Sequence, residues 1–160
     1  CMPGGKVVVY TGILDLTTDE AGLATVLGHE IAHAIARHGN ERVSQQILAE
    51  AGGSNIQAVL ASTSFSPDML DNLVLNAYSI GSSVGLLKFS RNQESEADKM
   101  GLVFMEYAGY DSYAAIDFWK RMGESGGQKP PEFLSTHPAD ATRVKDLQAY
   151  LPEAMKYYKK

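Results

Sequence analysis

The stretch TTDEAGLATVLGHEIAHAIAR, residues 17–37, decides how the rest of the chain is read. Leu23, Val26, Leu27, Ile31, Ala34 and Ile35 recur with helical period, and Thr17 with Glu20 has the S/T-x-x-E spacing of a capping box. A helix is therefore expected from near Thr18 to about Arg37. In its middle stands His29-Glu30-Ile31-Ala32-His33, the pattern H-E-x-x-H. Histidines at i and i+4 leave a helix on one face, a turn apart, so both imidazoles can reach a single ion. Glu30 lies about 100° round the helix, beside such an ion rather than on it. From there its carboxylate can hold a water on the metal and accept its proton. The pattern also arises by chance, but chance occurrences seldom fall inside a helix among apolar neighbours.

A catalytic zinc takes three protein ligands and leaves a fourth position for water, so a third donor is required. His38 lies about 180° round the helix from His29, and a helix-end role suits it better. The metzincin pattern needs Gly at 36 and His at 39, where this chain has Ala36 and Gly39. The best donor lies in NQESEAD, residues 92–98. Glu94 and Asp98 are i and i+4 on an expected helix and share a face, while Glu96 points elsewhere. One carboxylate can bind the ion while the other accepts the spare N–H of a ligand histidine, which fixes the imidazole tautomer. Acids at this spacing are also commonly no more than a solvated helix face.

Outward from these segments the chain reads as one domain over residues 1–160, with 44% hydrophobic residues, enough for a core without staples. Fourteen Lys and Arg against 19 Asp and Glu give a net charge of -5, with no basic cluster, which argues against nucleic acid as a partner. Cys1 is the single cysteine, so no internal disulfide forms. Pro3-Gly4-Gly5 follows it without a polar tether, and a lipid anchor there is not expected. Leu70 to Phe89 is oily but broken by Asp71, Asn72, Asn76 and serines, short of the ~20 apolar residues of a membrane span. The chain thus reads as soluble.

Residues 6–14, KVVVYTGIL, carry the one clear strand signal, with a bend at Gly12. Further helices are expected over residues 41–51, ended by Gly52-Gly53-Ser54-Asn55, and over 69–88, weakened by Gly81 and Gly85. Another runs from Glu94 to Tyr107 after a cap-like start at Ser90 to Gln93, stopped by Gly109. The last two begin at Ser112, ending near Gly123, and at Pro138, ending at Tyr150, on either side of a GGQKPP loop at 126–131. The fold class is α+β, mostly helical, with a small sheet beside the H-E-x-x-H helix.

The motifs together resemble the gluzincin family of zinc metallopeptidases that includes the HtpX heat-shock proteases and the CAAX prenyl proteases. The resemblance rests on VYTGIL at Val9 to Leu14, HEIAH at His29 to His33, SRNQESEAD at Ser90 to Asp98, and STHP from Ser135 with Arg143 beyond it. It implies a zincin-like domain holding one Zn²⁺ per chain on His29, His33 and Glu94. It further implies Glu30 as general base and Asp98 as the partner of a ligand histidine. Family members usually carry more chain before the strand, often with membrane helices, so missing N-terminal material is expected and membrane association only through it. The resemblance also implies endopeptidase activity on unfolded or misassembled proteins in the bacterial cell envelope, on the periplasmic side.

His137 and Arg143 belong by resemblance to the rim of the active site, where either would stabilise the negative oxygen formed during hydrolysis. His137 as a fourth zinc ligand, holding the enzyme latent, is a second reading; a helix-start histidine with a solvated arginine is the third. The strand at Lys6 to Tyr10 either pairs with an extended polypeptide substrate through its backbone or is buried in the sheet. The competing functional class is a zinc-containing, chaperone-like peptide-binding module. Tyr78, Phe104, Tyr107, Tyr110, Phe118 and Trp119 are read as core residues.

Overall fold

Thr17 does not cap the H-E-x-x-H helix, because its hydroxyl donates to the Leu14 carbonyl at 3.1 Å and closes a short helix of its own, α1 (Leu14–Thr17). Asp19 takes the cap instead, its Oδ1 accepting from the Gly22 amide at 2.7 Å, and α2 runs Glu20–Ile35. The computed structural model describes residues 6–63, 69–124 and 141–158. The remaining helices are α3 (His38–Thr63), α4 (Met69–Tyr107), α5 (Tyr113–Glu124) and α6 (Ala141–Ala154). Short 3-10 turns lie at Thr11–Ile13 and Met155–Tyr157.

The small sheet is a reading that the structure overturns, and with it the α+β class: among the described residues the fold is helical with no strand. Lys6 is an isolated bridge position and residues 7–10 form no regular element, with side chains 40–62% exposed. β-branched residues favour a strand only where a neighbouring strand supplies a ladder. None lies alongside among the described residues, and from Thr11 the chain turns helical, anchored by buried Ile13 and Thr17.

Two of the expected helix breaks are also absent. Gly52 and Gly53 sit inside α3, where a Cβ on Gly52 would stand 2.1 Å from the Tyr78 hydroxyl oxygen, so the glycine leaves room for that ring. The Tyr78 hydroxyl donates to the Ala49 carbonyl at 2.8 Å and ties α4 to α3 there. The segments expected at 69–88 and 94–107 are one continuous α4. Ser90 to Gln93 start no new helix but continue this one, and Gly81 and Gly85, each costing a helix only about 1 kcal/mol relative to alanine, do not interrupt a run with no proline in it. The C-terminus of α4 behaves as read: the Tyr110 and Gly109 amides donate back to Met105 and Glu106 carbonyls, a Schellman ending.

The chain divides into two compact units, Cys1–Ala36 with Gln93–Lys160, and Arg37–Asn92. In the first, α5 packs on α2 and α6, and α1 closes on α2 and α5. Its core joins Val26 of α2, Leu102 and Met105 of α4, Phe118, Trp119 and Met122 of α5, and Leu147 and Leu151 of α6. The second unit holds α3 and the first part of α4, joined by the Tyr78 contact. Among the described residues no helix is long and apolar enough to cross a membrane.

Candidate metal centre

All the described residues of the candidate centre lie in the first unit. α2 brings His29 and His33 to one face a turn apart, and α4 brings Glu94 and Asp98 opposite them. His29, Glu94 and Asp98 are only 1%, 7% and 6% exposed, which removes the reading of the two acids as a solvated face. Glu96, by contrast, is exposed, as its position on the helix requires.

The His29 and His33 Nε2 atoms stand 3.1 Å apart. Glu94 Oε2 is 3.3 Å from His29 Nε2, and Glu94 Oε1 is 3.3 Å from His33 Nε2. Ligand atoms at the corners of a tetrahedron with zinc bonds of about 2.0–2.1 Å are separated by about 3.3–3.4 Å. Two imidazole nitrogens and one carboxylate oxygen are also the donor types zinc takes in catalytic sites. By spacing and chemistry this group fits the ion, and its three residues have ligand atoms all within 4.8 Å of one another.

Asp98 lies on the other side of the imidazole, its Oδ1 3.0 Å from His29 Nδ1. With Nδ1–H donating there, the Nε2 lone pair is turned toward His33 and Glu94. Burial opposes a charge on His29, but its hydrogen bonds to Asp98 and Glu94 outweigh burial and raise its pKa, while the Arg143 charge pulls the other way. Glu30 is half-buried, next to His29 on α2.

Arg143 of α6 joins the cluster: Nη2 is 2.6 Å from Asp98 Oδ1 and 3.3 Å from His29 Nδ1, and Nη1 is 3.6 Å from Glu94 Oε2. Its guanidinium carbon sits 3.3 Å from the centroid of the Trp119 ring, and that ring meets His29 edge-on at 5.7 Å. Trp119, a core residue as its sequence context leads one to expect, also borders this cluster; that it is the single tryptophan of the chain is the one signal that marks it in the sequence. His137 lies outside the described residues. His38 is buried at the start of α3, in the second unit.

The chain is 40% identical over 155 residues to the mitochondrial metalloendopeptidase OMA1 of Schizosaccharomyces pombe, covering 96% of this chain and 43% of that protein. It is 35% identical over 163 residues to the mitochondrial metalloendopeptidase OMA1 of Homo sapiens, covering 97% of this chain and 30% of that one. It is 32% identical over 148 residues to the beta-barrel assembly-enhancing protease of Yersinia pestis, covering 91% and 30%. The chain thus spans less than half the length of these curated relatives. No solved structure gives a significant match. Residues 1–151 match Peptidase family M48, which bears out the resemblance carried by the motifs. On that match, and on its similarity to relatives named as metalloendopeptidases, the chain belongs to Peptidase family M48.

Proposed function

We propose that this chain is the catalytic domain of a zinc-dependent endopeptidase acting on unfolded or misassembled proteins. The observation that carries the reading is the convergence of His29 Nε2, His33 Nε2 and the Glu94 carboxylate, whose ligand atoms lie within 4.8 Å of one another, with Glu30 beside His29 on the same helix. His29 and His33 would hold the ion through Nε2 and Glu94 through its carboxylate. The chemistry supplied by bound zinc is Lewis acidity, which polarises the scissile carbonyl and makes water a better nucleophile at neutral pH. Glu30 takes the proton from the attacking water and returns it to the leaving amine. Asp98 holds His29 in the tautomer that keeps Nε2 available. His137 remains the candidate for stabilising the oxyanion, a role that the resemblance also gives to Arg143.

The exposed residues 7–10 suit an extended substrate, because their backbone is not engaged in a ladder among the described residues. A chain laid alongside would complete the pairing that the sequence favours there, and backbone pairing tolerates many side chains. The relatives' names support a protein substrate and place some of them in mitochondria. For this chain the proposed location is the bacterial cell envelope, on the periplasmic side.

The test is proteolysis of an unfolded protein by zinc-loaded wild type and by Glu30→Gln, with bound zinc measured in both. Cleavage by wild type that disappears in Glu30→Gln while zinc stays near stoichiometric is the expected result. Zinc bound by both proteins with cleavage by neither would turn the reading toward a peptide-binding module. Wild type that binds no zinc would overturn the ligand set.

A further inference from the structure

Arg143 is a buried cation, 8% exposed, and a buried cation is retained only where partners compensate its desolvation. Its compensating partners here are the two carboxylates of the metal centre. Its shortest contact is with Asp98, at 2.6 Å; the same Nη2 is 3.3 Å from His29 Nδ1 and 3.5 Å from Nε2, so the guanidinium lies alongside the imidazole. Its flat face lies against Trp119, which is 1% exposed and fixed in the core of α5. Arginine stacked on an indole loses the freedom that its long side chain otherwise has, and its planar fork then presents donors in one direction.

We propose that Arg143, held flat by Trp119, is a positioning residue for the metal centre: it fixes the Asp98 carboxylate, and through it the His29 ring, and steadies Glu94. This replaces the oxyanion role for Arg143 and rests on the reading of His29, His33 and Glu94 as the metal ligands. The two carboxylates stand a turn apart on α4, and the guanidinium bridges them, with Nη2 2.6 Å from Asp98 Oδ1 and Nη1 3.6 Å from Glu94 Oε2. A carboxylate pinned by this fork keeps its Oδ1 aimed at His29 Nδ1, 3.0 Å away, and so holds the ring in one orientation. Lysine carries the same charge but offers neither the plane that stacks on Trp119 nor the fork that spans two carboxylates.

The experiment measures zinc affinity by chelator competition, together with kcat and KM at saturating zinc, for the whole chain. The variants are Arg143→Ala, Arg143→Lys, Asp98→Asn, their Arg143→Ala/Asp98→Asn combination, and Trp119→Phe. Melting of each metal-free variant checks that it folds. Both Arg143 variants are expected to weaken zinc binding about ten- to hundredfold, the range for partners of metal ligands. Arg143→Ala added to Asp98→Asn is expected to cost little more than Asp98→Asn alone, with KM unchanged at saturating zinc. Trp119→Phe is expected to shift affinity in the same direction by less.

Wild-type zinc affinity in Arg143→Ala with kcat lost would restore the oxyanion role and overturn the proposal. Full rescue by Arg143→Lys would reduce the residue to a point charge, and losses that simply add in the double variant would separate it from Asp98; either overturns it. If Arg143→Ala does not fold, Arg143→Lys and Trp119→Phe decide by the same measurement. Wild type that binds no zinc overturns the metal centre itself, whereas wild type that binds it and Arg143 variants that bind equally well overturn the positioning role alone.

Discussion

Gly28 of α2 meets Gly101 of α4 with no side chain between the two backbones. A Cβ on Gly28 would stand 3.1 Å from the Gly101 carbonyl oxygen, and a Cβ on Gly101 would stand 3.1 Å from the His29 amide nitrogen. This crossing sets how closely the helix bearing the histidines approaches the helix bearing Glu94 and Asp98. A Cβ at Gly101 fits only if the facing backbone of α2 gives by a few tenths of an ångström, and Gly101→Ala is expected to overpack this crossing. Overpacking of this kind costs about 1–3 kcal/mol, and zinc affinity is expected to fall with it. Melting and zinc titration check both effects; unchanged values in the variant would mean that the crossing has slack the structure does not show.

Removing the metal, or one of its ligands, is expected to act on stability as well as on activity. Zinc at a hundred times its dissociation constant adds about 2.7 kcal/mol to the folded state by mass action. Wild type is expected to melt higher with zinc than with a chelator, and Glu94→Gln to melt alike in both. A zinc-dependent shift that survives in Glu94→Gln would take that residue out of the ligand set.

Val8→Pro tests the substrate segment. Val8 is exposed and lies in the irregular stretch 7–10, so the change removes one backbone donor without touching the core. If substrate pairs along this stretch, KM for an unfolded protein rises while zinc content and melting temperature stay at wild-type values. Steady-state kinetics on one substrate suffice, and an unaltered KM would place the substrate elsewhere.

Tyr78→Phe removes the hydroxyl that donates to the Ala49 carbonyl, between α3 and α4 in the second unit. Loss of such a hydrogen bond costs about 0.5–1.5 kcal/mol. Chemical denaturation is expected to show that loss, with zinc affinity unaffected because the metal centre lies in the other unit.

How far the sequence carries the argument differs from segment to segment. His29, His33, Glu94 and Asp98 were legible because a helix repeats its faces at i and i+4, and nothing beyond local periodicity is needed to put such residues on one side. The helices around them were legible for the same reason, and so was the end of α4, where Gly109 closes a turn made of neighbouring residues. Local rules failed where the outcome depended on a distant partner. The strand at 6–14 needed a ladder that no described residue provides, and the break at Gly52 was cancelled by Tyr78, 26 residues further along the chain.

The metal centre divides along the same line. The sequence by itself determined that His29 and His33 share one helix face and Glu94 and Asp98 another, since spacing on single helices is a short-range property. Only the tertiary structure decided that Asp98 receives His29 Nδ1, that Arg143 turns to Asp98, and that Trp119 backs the guanidinium. Those contacts join residues of α2, α4, α5 and α6, and their geometry follows from how the helices pack, with Gly28 and Gly101 setting one crossing distance. Packing is a property of side-chain shape summed over the whole core, so no window of sequence contains it.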